Sequence, residues 1–486
     1  DPDVIRVEDT YYMVSTTMHF MPGCEILQSF DLVHWEHVTY VYETLDHTDA
    51  QQLKSGQNIY GQGMWAASLR YHEGRFCICF VANDTRKTYL YTSEKIDGPW
   101  KKQLIEGFYH DGSLLFDEDG RNYIVYGNDE IWITELNEDL TAPKKDGLHR
   151  LLVSDHKNPE LGYEGSHIQK INGYYYIFLV HSLRDRWMRT EACFYSDSLE
   201  GEFTGGDVLC DDRGYCGQGV AQGGIVDTPD GKWYAMLFQD SGAVGRIPIL
   251  LPVTWKDHFP VFGQNGHVPE EIEVHSTRPG YIYQPLVGSD DFCNGLLPRW
   301  QFNHDPDPRY YHLDALQGTY TITTREVCTE LTQAVNTLTQ RMSYPSCAAE
   351  VTVDASALKE GDVAGLCVLQ SCYAAVGITK HHGKYEVLML DKKEDGILDM
   401  TEGTVVESHQ MDFRLEADFC NMKDEARCYY RVNKGDWLPI GTVHKLYFKL
   451  DHFTGCRFGL FCYAAEETGG SACFRDFKYY DVDEIS

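Results

Sequence analysis

Short apolar runs rich in aromatic residues recur along the first half of the chain, and each begins directly after a turn residue. The five runs, written with the turn residue that opens them, are 10–14, 74–78, 120–124, 173–177 and 231–235. Helical periodicity is nearly absent between them. Repeats of roughly fifty residues built from short strands and turns are typical of a β-propeller. The pattern therefore predicts an all-β fold that begins with a five-bladed β-propeller.

One position in each repeat lies nine residues before the turn residue. These five positions hold Asp1, Trp65, Asp111, Glu164 and Gln222. Equivalent residues of different blades surround the central axis of a propeller, so the three carboxylates are expected in one pocket. Like charges that are crowded together are costly, which favours an active site. A calcium cage and simple caps at the blade starts are the structural alternatives.

The repeat stops near residue 265, and the rest of the chain has a different pattern. Residues 1–265 are expected to form the propeller. Residues 266–287 contain prolines and acidic residues and are expected to form a connector on its surface. Residues 288–486 contain further strand-like runs without the repeat, which predicts a β-sandwich.

The charge of the chain limits its partners. With 42 Lys and Arg against 74 Asp and Glu, the formal net charge is −32. Such a field repels phosphate backbones, so nucleic acid is an unfavourable partner, whereas neutral sugars are compatible with it. No apolar run approaches the length of a membrane span. We therefore expect neutral oligosaccharides as partners and neither nucleic acid nor membrane, with the oligomeric state left open.

Sixteen cysteines are present, several of them inside apolar strand-like runs. There is no CxxC pair, and the Cys and His spacings do not match a zinc site. Free, buried thiols in a reducing compartment are therefore expected, which favours a cytoplasmic location. Because the chain starts at a residue of the predicted site, Asp1, we also expect further sequence upstream.

Two carboxylates are sufficient for glycoside hydrolysis, since one protonates the leaving oxygen and the other activates water or attacks the sugar. A third carboxylate near the acid can raise the pKa of that acid. The longer side chain of Glu164 favours it as the acid, whereas Asp1 and Asp111 are suited to the shorter reach of a base. His110, just before Asp111, is expected to be an ordinary turn residue.

Five further residues are candidates for binding the sugar. Trp65 and Phe20 could offer a platform to the apolar face of a sugar ring, although core packing explains Trp65 equally well and Phe20 better. Gln222 could donate a hydrogen bond to sugar or water. Arg246 could contact the substrate or form a structural ion pair. His167 is expected to stand behind the residues that touch the sugar.

At these motifs the chain resembles glycoside hydrolase family 43. The motifs are Asp1-Pro2, Trp65-Ala66-Ala67-Ser68, Asp111-Gly112-Ser113-Leu114, Glu164-Gly165-Ser166-His167 and Val226-Asp227-Thr228. The second region, through 336–341 and 476–480, resembles the concanavalin-like β-sandwich, a jelly roll, that follows the propeller in β-xylosidases and arabinofuranosidases of this family. The resemblance implies inverting hydrolysis, with Asp1 as general base, Asp111 as pKa modulator and Glu164 as general acid. It also implies that Arg246 contributes to the sugar-binding subsite.

The resemblance further implies an exo-acting glycosidase that releases terminal α-L-arabinofuranose, β-D-xylose or both from hemicellulose oligosaccharides. An endo-arabinanase and a non-catalytic carbohydrate-binding propeller are the alternatives, and a sugar phosphorylase would need a cationic cluster beside the acid. Two departures from the family pattern concern the pocket. Gln222 stands where the family often has His near a central calcium, so no metal is assigned and no cofactor is required, with a structural calcium left open. His19-Phe20-Met21 replaces a usual Glu-Trp before Pro22-Gly23.

Overall fold

The computed structural model describes residues 1–401 and 403–481, which form strands joined by turns and four short 3₁₀ helices. The 3₁₀ helices are Lys54–Gly56, Gly242–Val244, Leu331–Gln333 and Cys420–Met422. The first blade contains β1 (Asp3–Val7), β2 (Thr10–Val14), β4 (Gly23–Ser29) and β5 (Glu36–Tyr42), while β3 (Phe20–Met21) belongs elsewhere. Blade two contains β6 (Met64–His72), β7 (Arg75–Ala82), β8 (Lys87–Ser93) and β9 (Lys101–Ile105).

The remaining blades repeat this arrangement of four antiparallel strands in sequence order. Blade three contains β10 (Ser113–Phe116), β11 (Asn122–Asn128), β12 (Glu130–Leu136) and β13 (His149–Ser154). Blade four contains β14 (Glu164–Ile171), β15 (Tyr174–Ser182), β16 (Arg189–Ser196) and β17 (Thr204–Leu209). Blade five contains β18 (Ala221–Asp227), β19 (Trp233–Asp240), β20 (Arg246–Lys256) and β21 (Phe259–Phe262).

The first strands of the five blades surround the axis. β1 contacts β6 and β18, and β10 and β14 complete the ring between them. The ring closes where Arg6 of β1 forms an ion pair with Asp227 of β18. Inside the ring Arg70 donates to Asp3, to the Ser113 hydroxyl and to backbone oxygens of two further blades. The prediction of an all-β chain that starts with a five-bladed propeller is confirmed.

Three of the innermost strands are interrupted by a β-bulge at the same phase of the repeat. The register shifts fall between Met64 and Ala67, between Glu164 and His167, and between Ala221 and Gly224. A bulge inserts unpaired residues and re-aims their side chains, and bulges are frequent next to active sites. In blades two, four and five, the column found in the sequence therefore lies in or directly beside an irregularity of the backbone.

The second domain is a β-sandwich of two antiparallel sheets. One sheet has the order β3-β22-β25-β35-β27-β28-β29-β30, with β31 also paired to β29, and the other has the order β23-β24-β36-β26-β32-β33-β34. The strands of the first sheet are β22 (Gln301–Asn303), β25 (Leu338–Arg341), β27 (Asp362–Leu369), β28 (Ala374–His381), β29 (Lys384–Lys392), β30 (Leu398–Met400), β31 (Thr404–Val406) and β35 (Arg457–Ala464). Those of the second are β23 (Tyr311–Asp314), β24 (Thr319–Thr323), β26 (Ser346–Asp354), β32 (Gln410–Asp418), β33 (Glu425–Val432), β34 (Leu438–Lys445) and β36 (Ser471–Asp481). The predicted sandwich is likewise confirmed.

The two domains share a sheet. β3 lies within the propeller part of the sequence but pairs with β22 of the sandwich, which differs from the expectation that residues 1–265 belong to the propeller alone. An ion pair joins the buried Glu25 of β4 to the partly exposed Arg341 of β25 at 2.6 Å. Between the domains, the connector runs over blade one, where the Tyr283 hydroxyl accepts the backbone N–H of Phe30 at 2.9 Å. These contacts fix the sandwich against the face of blade one.

All sixteen cysteines are free, and most of them are buried, as their placement in strand-like runs predicted. Cys77 and Cys79, for example, lie in the core between blades two and three. In the part of the chain that the structure describes, no helix is long and apolar enough to cross a membrane.

Candidate active site

Asp1 lies two residues before β1, the innermost strand of the first blade. The Thr16 hydroxyl donates to its Oδ2 at 2.5 Å, and Arg246 donates to its Oδ1 at 2.5 Å. The Asp1 side chain is 5% exposed. Two strong donors therefore hold this carboxylate in one orientation, and the ion pair requires its charged form.

Asp111 lies two residues before β10 and has a positive φ of 47°. Its side chain is buried, and its Oδ2 accepts the backbone N–H of Gly165 at 3.1 Å. Gly165 itself lies in the bulge of β14 with a φ of +66°. The bulge therefore links the carboxylate of blade three to the strand that carries Glu164.

Glu164 is the first residue of β14, and two side chains donate to the same one of its oxygens. Asn128 Nδ2 lies 2.6 Å from Oε2, and His110 Nε2 lies 3.4 Å from it. His110 Nε2 is also 3.6 Å from Asp111 Oδ2. One chelating atom from each of His110, Asp111 and Glu164 lies within 4.8 Å of the others. Two of the three predicted carboxylates, those of Asp111 and Glu164, thus lie close together on either side of His110.

Two arginines supply positive charge beside these carboxylates. Arg246, the partner of Asp1, also donates to Asp240 Oδ1 at 3.3 Å. Arg189 of β16 forms an ion pair with the other oxygen of Asp240. Burial lowers the pKa of Arg246 to about 10 and that of Arg189 to about 9, so both stay charged at neutral pH. Asp240 therefore places two cations side by side at the pocket.

The pKa values of Asp111, Glu164 and His110 depend on their burial and on the charges of their neighbours. Burial, together with the charge of Glu164, raises the pKa of Asp111 against the opposing effect of His110. Burial alone would raise the pKa of Glu164, but the hydrogen bond and charge of His110, followed by Arg189 and Arg246, lower it. The negative charge of Asp111 and the bond to Glu164 raise the pKa of His110 to about 9. The free site therefore carries an imidazolium beside Glu164 at neutral pH.

One wall of the site comes from the sandwich. Phe453 lies in the loop between β34 and β35 and is almost fully buried. Its ring meets the Trp65 ring edge-on, with centroids 5.3 Å apart, and covers the guanidinium of Arg246 at 4.1 Å. A cavity of about 750 Å³ borders Asp1, Arg246 and Phe453 together. Residues of both domains therefore line the pocket.

Comparison with known families agrees with this geometry. The model of the family described as "Glycosyl hydrolases family 43" matches residues 1–260, which is more than half of the chain. The chain belongs to glycosyl hydrolase family 43. The model described as "Beta xylosidase C-terminal Concanavalin A-like domain" matches residues 289–480. The chain is thus a glycoside hydrolase, as the resemblance implied.

Three known proteins show how far the similarity extends. A solved structure from Bacteroides eggerthii, described as a bifunctional GH43-CE, is 42% identical with a TM-score of 0.91, and the match covers 99% of this chain and 62% of that one. The chain therefore spans less than two thirds of that protein. A structure of a family 43 enzyme, engineered to display both endo-xylanase and exo-arabinofuranosidase activity, is 27% identical with a TM-score of 0.86 and coverage of 99% and 97%. A β-xylosidase of Formosa agariphila is 26% identical over 99% of this chain and 87% of the relative.

Trp65 and Arg246 lie beside the carboxylates of this family 43 site, whereas two other predicted binding residues do not. Phe20 is fully buried in β3, where it packs in the sandwich core and lies under the Arg457 guanidinium at 3.9 Å. A ring in this position has no free face for a sugar, so the expectation of a platform does not agree with the structure. His167 bonds to the buried Asp3 at 3.2 Å, inside the ring. It therefore stabilises the propeller axis below the site.

Gln222 lies in the bulge of β18, next to the axis. Its backbone N–H donates to Glu191 Oε2 at 2.7 Å, and its side chain lies against Gly165. Burial raises the pKa of Glu191 well above its usual value. Among the residues described, no cluster of three acidic, histidine or cysteine side chains includes Glu191. Hydrolysis by carboxylates requires no metal ion, and no metal is assigned to these residues.

Four residues of the site were not found from the sequence. His110 was expected to be an ordinary turn residue, although it directly precedes Asp111 and that adjacency was a usable signal. Asn128 is the last residue of β11 and Arg189 is the first residue of β16, so both lie outside the repeat column. Phe453 comes from the other domain, so no propeller pattern could indicate it.

Replacing Gly165 with Ala should destabilise the protein and impair the site. A Cβ at this position would lie 2.6 Å from Gln222 Cγ, and the φ of +66° disfavours any side chain. We expect the free energy of unfolding to fall by about 2 kcal/mol or more, measured by denaturant titration. Gly173→Ala is the matched control, because Gly173 has a φ of +85° but open space around it. An equal loss in both variants would contradict the proposed overlap with Gln222.

Proposed function

We propose that this enzyme is an exo-acting, inverting glycosidase that releases terminal α-L-arabinofuranose, β-D-xylose or both from hemicellulose oligosaccharides. The observation that carries the proposal is that Arg246 connects the three carboxylates: it donates to Asp1, its charge acts on Asp111 and Glu164, and Phe453 of the sandwich covers its guanidinium. A pocket closed on one side accepts a chain end in preference to the middle of a polymer. The names of the β-xylosidase relative and of the engineered arabinofuranosidase structure support pentoses as the sugars.

In this mechanism Glu164 gives a proton to the oxygen of the leaving group. Asn128 and His110 hold its Oε2, and the protein donates to Oε1 nowhere in the described chain. The carboxyl group is therefore held at one oxygen only and can still present its proton to the glycosidic oxygen. Asp111 is fixed by the backbone N–H of Gly165. Its negative charge next to Glu164 favours the protonated form of Glu164 over the carboxylate.

Asp1 accepts a proton from the water that attacks the opposite face of the sugar. Thr16 and Arg246 hold the carboxylate in the ionised form that a base requires. Direct attack by this water inverts the configuration at the anomeric carbon. Arg246 and Trp65 both contact Phe453 and are suited to bind hydroxyl groups and a ring face of the sugar.

The cationic side chains do not favour a phosphorylase. Arg189 and Arg246 share Asp240, and Arg246 also pairs with Asp1. Their charges are therefore already balanced by carboxylates within the protein. A phosphate ion bound here would have to compete with these ion pairs.

The direct test is an assay with arabinofuranosyl and xylosyl aryl glycosides side by side. The first product should be a monosaccharide, and proton NMR during the reaction should show the inverted anomer. Turnover of neither glycoside would refute the proposed substrates. The retained anomer as first product would refute Asp1 as the base. We also propose a cytoplasmic location, since all sixteen cysteines are free.

Removing the ring of Phe453 should open the pocket. In Phe453→Ala, kcat/KM for the aryl pentosides is expected to fall roughly 10-fold or more, because the wall beside Trp65 and Arg246 is lost. With oligosaccharides, fragments longer than a monosaccharide should appear among the products. Leu450→Ala is the matched control, since Leu450 lies in the same loop and is 63% exposed. Unchanged kinetics and products in Phe453→Ala would show that the sandwich does not shape the pocket.

A further inference from the structure

The His110 side chain lies between the carboxylates of Asp111 and Glu164. Its Nε2 lies 3.4 Å from Glu164 Oε2 and 3.6 Å from Asp111 Oδ2. Its backbone oxygen accepts the N–H of Gly127 at 3.0 Å, which anchors the turn. The Trp65 ring lies beside it, with ring centroids 6.1 Å apart. A titratable ring is thus fixed in contact with the residue that we assign as the acid.

We propose that His110 is a positioning residue that stores, in the free enzyme, the proton that Glu164 later gives to the leaving group. The inference rests on the proposed function, because it assumes that Glu164 is the acid. On substrate binding the bond from Nε2 to hydrogen breaks and a bond from hydrogen to Glu164 Oε2 forms. Both side chains become neutral. Glu164 then protonates the leaving oxygen and returns to a carboxylate, and His110 takes a new proton from solvent.

Substrate binding supplies the reason for the transfer. In the free site an imidazolium faces a carboxylate, and solvent stabilises both charges because each side chain is about one-fifth exposed. A bound sugar displaces this water. A separated pair of charges is then less favourable than a neutral pair, so the proton moves from the ring to the carboxyl group.

The groups around His110 are compatible with this role. Asp111 precedes β10, Glu164 comes from β14, and Arg86 from the turn after β7 opposes the positive charge of the ring. Asn128 and Trp65 are neutral. The pKa of His110, raised to about 9 mainly by the charge of Asp111, and the lowered pKa of Glu164 agree with a proton that rests on the ring in the free enzyme.

The proposal predicts the direction in which the pH profile moves when the ring is removed. In the wild type, activity with a poor leaving group should persist until the shared proton is lost near pH 9. In His110→Asn, only the Glu164 carboxyl can hold the proton. The alkaline limb of kcat/KM should then move down by about two pH units or more. If His110 acted only as a fixed positive charge, its removal would raise the pKa of Glu164, and the limb would move up.

The experiment measures kcat/KM from pH 4 to 10 for wild type, His110→Asn and His156→Asn. His156 is an exposed histidine 3.8 Å from Asp129 and serves as the matched control, with no shift expected. An aryl pentoside with an activated leaving group needs little acid catalysis, so its alkaline limb should not move in His110→Asn. A limb that stays in place or rises with the poor leaving group would overturn the proposal. If the wild type hydrolyses neither pentoside, the proposed function fails instead.

A second measurement uses the wild type alone and does not depend on how a variant folds. The NMR signals of isotopically labelled imidazole should show His110 protonated at pH 7 in the free enzyme. With a hydrolysis-resistant thioglycoside bound, the same ring should be neutral at pH 7. A ring that stays protonated in the complex would refute the transfer.

Discussion

Glu164→Gln should abolish most activity on substrates with poor leaving groups while preserving much of it on activated ones. Glutamine retains the shape of the side chain and can still face Asn128 and His110, but it cannot supply a proton. General acid catalysis contributes roughly 100- to 10,000-fold, and we expect a loss of that size in kcat/KM for unactivated oligosaccharides. For an aryl glycoside whose leaving group departs without protonation, the loss should be far smaller.

The comparison requires both substrates with the same enzyme preparation. Glu160→Gln is the matched control, because Glu160 is exposed on the segment that leads into β14 and should leave both rates unchanged. Thermal unfolding of both variants checks that the fold is intact. Equal losses on good and poor leaving groups would contradict the assignment of Glu164 as the acid.

Repetition made the carboxylates predictable from the sequence. A propeller places the same phase of every repeat at the same height beside its axis, so counting from the turn residues was enough to select Asp1, Asp111 and Glu164. The structure adds the reason why the column faces inward. The bulges in β6, β14 and β18 lie at this phase, and the positive φ of Asp111 serves the same purpose in blade three.

The bulge in β14 also bears on the orientation of His167. Counting alternate residues along a strand assumes an unbroken pleat, but the register of β14 shifts between Glu164 and His167. In the structure His167 bonds to Asp3 on the axis, behind the residues assigned to the sugar. Strand periodicity cannot reveal such an insertion when only one strand is considered.

Contacts between the domains could not be predicted from either repeat pattern. In the sequence Phe20 precedes a Pro-Gly turn, which indicates a loop. In the structure it forms a short strand, because it pairs with β22. Nothing in the sequence distinguishes Phe453 from the other aromatic residues of the sandwich. Its place beside Trp65 depends on how the two domains dock, which the Glu25–Arg341 ion pair and β3 determine.

Asp1→Asn should reduce activity to a similar extent on every substrate, in contrast to Glu164→Gln. The attacking water must lose a proton whatever group departs, and asparagine cannot accept it. We therefore expect kcat/KM to fall roughly 100- to 10,000-fold for activated and unactivated glycosides alike. The substitution also removes the ion pair with Arg246, so sugar binding should be measured separately by calorimetry.

Azide provides the decisive test of Asp1, because it is a nucleophile that needs no base. Added azide should restore turnover of an activated aryl pentoside by Asp1→Asn, and the product should be the glycosyl azide of inverted configuration. Azide should not accelerate the control Asp185→Asn, in which an aspartate that is 74% exposed is changed. An azide product of retained configuration would indicate a covalent intermediate and would refute direct attack by water. Because inversion requires the acid and the base on opposite faces of the sugar, this result would test the placement of Asp1 against Glu164 as well as its role.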